Sequence, residues 1–246
     1  MSTPQPVPTA FLRPASELKV RPITWLWPGR IPNAKLTLLT GGPGSGKSAL
    51  AINIIAAVTT GGAYPCREGS APKGSVILVS PNGDPDVLVP RLKTAGADLS
   101  RVQILHDVPG PDGSRRFELA TDLPLLDAAV QTIKDLRVIV IDALSLPTGR
   151  EARRAAVALL DQLAALAQAR DIAIMTIVQP PGTDRGAHAA FFDALADSPA
   201  RAGLLIAEAA APPTSKKRAC ARGRDARVPH HRAGDAAGPE RGPDLL

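Results

Sequence analysis

The chain predicts an α/β domain in which an open, mainly parallel sheet lies between two layers of helices, and three observations carry that expectation. From residue 35 onward, short apolar runs alternate with longer helical patterns. The runs are apolar at consecutive positions, as strands covered on both faces must be. Residues 41–48, Gly-Gly-Pro-Gly-Ser-Gly-Lys-Ser, stand between one such run and a helical stretch.

The elements follow in order. Residues 1–22 are rich in proline and predict a flexible N-terminal segment. Trp25-Leu-Trp-Pro-Gly-Arg-Ile-Pro32 holds both tryptophans. Its alternating apolar residues suggest a short edge strand or a lid over the core, with packing favoured over stacking on a base. Strands are expected at 35–40, 75–80, 102–106, 137–142, 172–178 and 203–207, and helices at 48–59, 85–95, 122–135 and 151–170. The last helix is dense in strong helix formers. Asp84-Pro85 reads as an N-cap followed by proline at the first helical position. Residues 61–74 and 107–121 read as loops. Beyond about 211 the periodicity stops. The expected organisation is a domain over 23–210 and a basic, disordered tail over 211–246.

Composition narrows the classes. Of 246 residues, 44% are hydrophobic, enough for a real core, but aromatics are only 3%. Stacking platforms for single-stranded nucleic acid are therefore scarce. The net charge of +6 sits mostly in the tail, where residues 212–246 carry eight Lys or Arg against four acids. Lys216-Lys-Arg218 and its neighbours fit either a solvated end without a partner, the favoured reading, or contacts to a phosphate backbone. Cys66 and Cys220 imply neither a metal site nor a disulfide framework. No apolar run is long enough for a membrane span, and the N-terminus lacks signal-peptide character. The expected location is the cytoplasm, with no membrane partner.

The segment 41–48 matches the phosphate-binding pattern G-x-x-x-x-G-K-[ST] at Gly41, Gly46, Lys47 and Ser48. Glycines allow backbone angles that a side chain forbids, so the loop can turn its N–H groups inward around phosphate oxygens. The helix that follows adds its own unpaired N–H groups and positive dipole end. The candidate nucleotide-binding residues are thus Gly41, Gly42, Pro43, Gly44, Ser45, Gly46, Lys47, Ser48 and Ala49. Lys47 would reach the terminal phosphates, and Ser48 would ligate Mg²⁺. A second signal agrees: Val138-Ile-Val-Ile141 ends in Asp142, a buried strand carrying a carboxylate to its C-terminal edge, where it would complete the magnesium shell. A turn or cap role is the bland alternative for Asp142.

Several segments together resemble the bacterial AAA-type ATPases related to the plasmid replication helicase RepA, whose cores are of the RecA/DnaB class. These are Trp25–Pro32, the loop at 41–48, Ser-Val-Ile-Leu-Val-Ser80, Pro-Arg-Leu-Lys-Thr-Ala-Gly-Ala-Asp98, Phe117-Glu-Leu-Ala-Thr-Asp-Leu-Pro124 and Val-Ile-Val-Ile-Asp142. The resemblance spans about residues 22–179. It implies a RecA-like parallel sheet with strand 172–178 inserted between the two Walker strands. It also implies ATP and Mg²⁺ as cofactors, DNA as a possible partner, and ring-shaped homo-oligomers among helicase relatives. This sequence shows no clear guanine-type Asn/Thr-Lys-x-Asp motif, in agreement with ATP. By position Gln179, at the end of the inserted strand, matches a γ-phosphate sensor, and it equally fits a surface glutamine before Pro180-Pro181.

The departures from that family concern turnover. Where it carries Ser-Ala-Glu-Asp, with the Glu activating water, this chain has Ser80-Pro81-Asn82-Gly83-Asp84. Asn82 cannot accept a proton; Asp84 is the nearby carboxylate, two residues away. The family's later His-Lys and Arg-Gly-Ser are missing, leaving Arg185 and Arg201 as candidate substitutes. The composition of the tail suggests a truncated or frame-shifted C-terminus. The sequence therefore supports an Mg-dependent ATPase with catalytic candidates Lys47, Asp84 and Gln179 and metal candidates Ser48 and Asp142. The alternative is a hydrolysis-impaired nucleotide-binding module of regulatory or structural kind. A small-molecule kinase is disfavoured, because no arginine-rich lid lies between the core strands.

Overall fold

The computed structural model describes residues 14–17, 22–42, 44–81, 83–145, 150–179 and 201–207. Six parallel strands form its central sheet: β3 (Leu36–Gly41), β4 (Ser75–Val79), β5 (Val102–Leu105), β8 (Leu136–Ser145), β9 (Ala173–Gln179) and β10 (Arg201–Ala207). Their spatial order is β10-β3-β9-β8-β4-β5. The inserted strand is where the resemblance put it, since β9 pairs with β3 on one side and β8 on the other. The helices are α1 (Lys47–Thr60), α2 (Pro85–Thr94), α3 (Leu119–Thr132) and α4 (Arg150–Arg170).

The uninterrupted apolar strands follow from a sheet covered on both faces. Along β8, Val138 and Val140 enter the core shared with α1 and α2. Ile139 and Ile141 enter the opposite core, shared with α3 and α4. Strand β4 divides the same way, with Val76 and Leu78 on one side and Ile77 and Val79 on the other. Each fully buried Val, Leu or Ile contributes about 1.5–3 kcal/mol, so a single polar replacement in these strands would be costly.

Two sequence expectations are corrected. Residues 107–121 are not a plain loop. They contain an antiparallel hairpin, β6 (Asp107–Gly110) and β7 (Gly113–Arg116), closed by Pro111-Asp112. All four residues of β7, Gly-Ser-Arg-Arg, are exposed, so no apolar alternation marks it in the sequence. Only the Pro-Asp-Gly turn signal was there to find. Helix α3 begins at Leu119 rather than 122. The Asp122 carboxylate reaches back to accept the N–H of Glu118 at 2.9 Å, which fixes the helix start ahead of Pro124.

The tryptophan segment forms a separate two-stranded ribbon, β1 (Trp25–Trp27) with β2 (Ile31–Pro32), rather than an edge of the main sheet. Leu26, Trp27 and Ile31 are buried in the α1-side core. Trp27 stacks on Tyr64 with ring centroids 4.7 Å apart and planes 3° from parallel, and the Arg30 guanidinium lies 5.3 Å above the Trp27 ring. The segment packs, as expected. No helix among the described residues is long and apolar enough to cross a membrane. The expected domain limits at 22 and 211, and the tail with its basic cluster, fall in or against stretches outside the described residues.

Candidate nucleotide site

The site begins where β3 leaves the sheet. Gly44 (φ 72°) and Gly46 (φ 86°) hold left-handed backbone conformations that other residues adopt only with strain. Gly46 is the N-cap of α1 and offers no side-chain hydrogen bond, so no side chain of the cap residue occupies the N–H groups of the first helical turn. Lys47 folds back over the loop. Its Nζ donates to the carbonyls of Gly41 and Gly42, both at 2.8 Å, and to Ser45 Oγ at 3.3 Å. The side chain is buried, and that burial lowers its pKa, an effect opposed by the charge of Asp142. Ala49 is exposed in the first turn of α1, where its carbonyl accepts from Asn53 Nδ2. Pro43 lies outside the described residues.

Asp142 arrives from 94 positions along the chain. The pairing of β8 with β9 shifts register between Ile141 and Leu144, and Asp142 falls within that irregularity. Ser48 Oγ donates to its Oδ1 at 3.3 Å. Burial raises the Asp142 pKa, opposed by the Ser48 hydrogen bond and then by the charges of Arg91 and Lys47. Two hard oxygen donors thus lie side by side, and the positive charges of Arg91 and Lys47 act on the carboxylate. Among the described residues no cluster of three or more His, Cys, Asp or Glu is placed to hold a metal ion. Serine and a carboxylate beside a phosphate cradle are the sort of pair that holds Mg²⁺ together with the phosphates themselves.

The remaining candidates stand around this centre. Gln179 ends β9, in register with Ser145 of β8, one residue beyond the Thr40–Val178 pair. It therefore sits at the C-terminal edge of the sheet between β3 and β8, with its side chain exposed. Asp84 caps α2, its Oδ1 accepting from the Asp86 N–H at 2.9 Å, as Asp84-Pro85 predicted. Asn82 lies outside the described residues, and so does Arg185. Arg201 opens β10 in register with Leu36, at the end of the sheet opposite the loop.

Three contributors were not picked out from sequence. Ser80 is buried at the end of β4 and its Oγ donates to the Asp142 carbonyl at 3.1 Å. Arg91 on α2 brings a positive charge to bear on Asp142. Its sequence signal is only a helical spacing, three residues beyond the buried Leu88 and next to the buried Leu92. Arg116 on β7 donates to the Pro81 carbonyl at 3.0 Å. Its signal is absent, because the hairpin that carries it is absent from the pattern.

A family model described as an AAA domain matches residues 4–183. That span takes in the loop, α1, β4, Asp142 and the end of β9. No curated protein matches the chain.

Proposed function

The chain belongs to the AAA domain family and has its P-loop ATPase architecture, and on that premise we propose that it binds Mg-ATP at residues 41–49 and hydrolyses it. The observation that carries this is the approach of Ser48 Oγ to Asp142 Oδ1 within 3.3 Å, across 94 residues of sequence. The loop glycines and the first N–H groups of α1 would cradle the phosphates. Lys47 would exchange the carbonyls of Gly41 and Gly42 for the terminal phosphates, a trade of neutral acceptors for charged ones. Ser48 and Asp142 would hold Mg²⁺, which when bound neutralises charge on the phosphate oxygens. Gln179 would face the γ-phosphate from the strand edge. The loop after β4 offers one carboxylate for the attacking water, Asp84, whose Oδ1 is already engaged as a cap.

The resemblance to RepA-related ATPases supports a role in DNA replication or on mobile elements, with DNA as partner and a homo-oligomeric ring as the working form. A specific observation favours a second reading. Asn82 stands where those relatives carry the water-activating Glu, so the chain is alternatively a nucleotide-binding module with little turnover. Measuring ATP binding and steady-state hydrolysis together, with and without single-stranded DNA, separates them. Turnover that disappears in Lys47→Ala and rises with DNA supports the motor. Binding without turnover, unchanged by DNA, supports the module. No binding of any Mg-nucleotide overturns both.

A further inference from the structure

We infer that a buried water molecule bridges the hydroxyls of Thr40 on β3 and Thr176 on β9, on the face of the sheet that packs against α4. The inference stands apart from the nucleotide reading. Both threonines are buried, Thr40 at 2% exposed and Thr176 at 0%. Neither Oγ1 has a hydrogen-bond partner among the described residues. Burying a hydroxyl without a partner is costly, so nearly all such groups in folded proteins are satisfied by protein or by ordered water.

The register puts the two hydroxyls on one face. Thr176 stands beside Leu38 of β3 and Ile141 of β8, and Thr40 beside Val178 of β9. Leu38, Ile141 and Val178 all belong to the core under α3 and α4. Residues in register on adjacent strands share a face, so Thr40 and Thr176 point into that core together. They are diagonal neighbours, two residues apart along adjacent strands, with Cα atoms about 8 Å from each other. No direct bond joins the hydroxyls. The gap suits one water, which spans it with two hydrogen bonds of about 2.8 Å. Thr40 directly precedes Gly41, so the bridge stands at the root of the loop.

The surrounding protein has little else to offer them. The remaining register neighbour of Thr40 is Ile206 of β10, apolar like the other three. Strand β3 runs between β10 and β9, and β9 between β3 and β8, so the main-chain groups of both are engaged in ladders on either side. From α4 this core receives Ala156 and Leu160, whose side chains carry no polar atom, and the helix carbonyls are used within the helix. Water can donate to one hydroxyl and accept from the other, and no register neighbour carries a charge that would draw an ion. Thr37 is a contrast on the same strand. Its Oγ1 also lacks a partner among the described residues, but it stands beside Met175 of the opposite core and Gly203, with no second hydroxyl in register.

The test is thermal melting of the full chain carrying Thr40→Val, Thr176→Val or both, beside Thr37→Val alone and combined with Thr176→Val. Valine keeps the outline of threonine and removes the hydroxyl. Either single change at the bridge takes a partner from the water and leaves the other hydroxyl wanting, so each is expected to lower Tm by about 2–4 °C. The double variant has no hydroxyl left to satisfy and is expected to melt above either single one. Thr37 and Thr176 lie on opposite faces, so their shifts are expected to add. Single variants at 40 and 176 that melt at or above wild type overturn the inference, because the hydroxyls are then dry. A double variant that loses the sum of the two single shifts overturns it as well, as does a departure from additivity of the same size between 37 and 176. A high-resolution crystal structure of the wild-type chain reads the point directly. Solvent density within hydrogen-bond distance of both Oγ1 atoms is expected, and none there overturns the inference.

Discussion

The two sides of the proposed nucleotide site are built differently. On one side, β3, α1 and β8 bring Lys47, Ser48 and Asp142 together from distant parts of the sequence, in largely buried surroundings where charge is felt strongly. On the other side, beyond the buried Ser80, the described residues after β4 are held by surface bonds, a cap at Asp84 and an arginine on the Pro81 carbonyl. On the first side burial outweighs the attraction between its charges, since the Lys47 pKa is lowered and that of Asp142 raised. On the second side the stakes are smaller, because a lost exposed hydrogen bond costs only about 0.5–1.5 kcal/mol. On the proposed reading, gripping a triphosphate and cleaving it would therefore be separable.

The largest effect should come from breaking the buried side. Lys47→Ala is expected to lower ATP affinity and turnover together, turnover by at least about a hundredfold. Retained affinity in an equilibrium binding assay would place the phosphates elsewhere. The same side predicts a pH signature. Asp142 must be ionised to share a metal, and its pKa is raised, so Mg-nucleotide binding should weaken on acidification at a higher pH than an ordinary aspartate would dictate. Lys47, with a lowered pKa, should set the alkaline limb. Asp142→Asn should remove the aspartate's share of the acidic limb in a titration of affinity against pH, leaving that of the nucleotide phosphates.

The next effects belong to the surface side. Asn82→Glu restores a proton acceptor at the position where related ATPases have one, and is expected to raise turnover about tenfold with affinity within about twofold. Asp84→Asn separates capping from base chemistry, since asparagine caps a helix as well as aspartate does. Intact melting with lost turnover would mark Asp84 as the base; unchanged turnover would leave it as a cap alone. The smallest effect is on stability. The Arg115 pair and the Glu118 N–H hold the Asp122 pKa at about 2, below its ordinary 3.8. A carboxylate shifted this way adds stability above pH 3.8, which is lost as the pH falls through about 2. Asp122→Asn should lower the melting temperature at neutral pH and flatten the loss of stability across that acidic range.

What was legible in the sequence follows the same division. The sheet could be read because strands covered on both faces need consecutive apolar residues, and Val138-Ile-Val-Ile141 has them. The loop could be read because its glycines answer a backbone demand that other residues meet only with strain. The hairpin could not, since β7 is stabilised by Arg115 and Asp122 rather than by an apolar face. Arg91 and Arg116 also escaped notice. Each acts on a group 51 or 35 residues away, which only the folded chain brings near. Asp122 is the first residue of the expected helix 122–135; its reach back to Glu118 goes with a start at Leu119 instead.

Both tryptophans of the chain, Trp25 and Trp27, belong to one small ribbon, and the only tyrosine lies flat against the second of them. Intrinsic ultraviolet emission from this protein is consequently a gauge of a single event, the seating of that ribbon on the body. A change in emission during denaturation would date the ribbon's departure, and ligand titrations followed by it would be silent unless the ribbon moves.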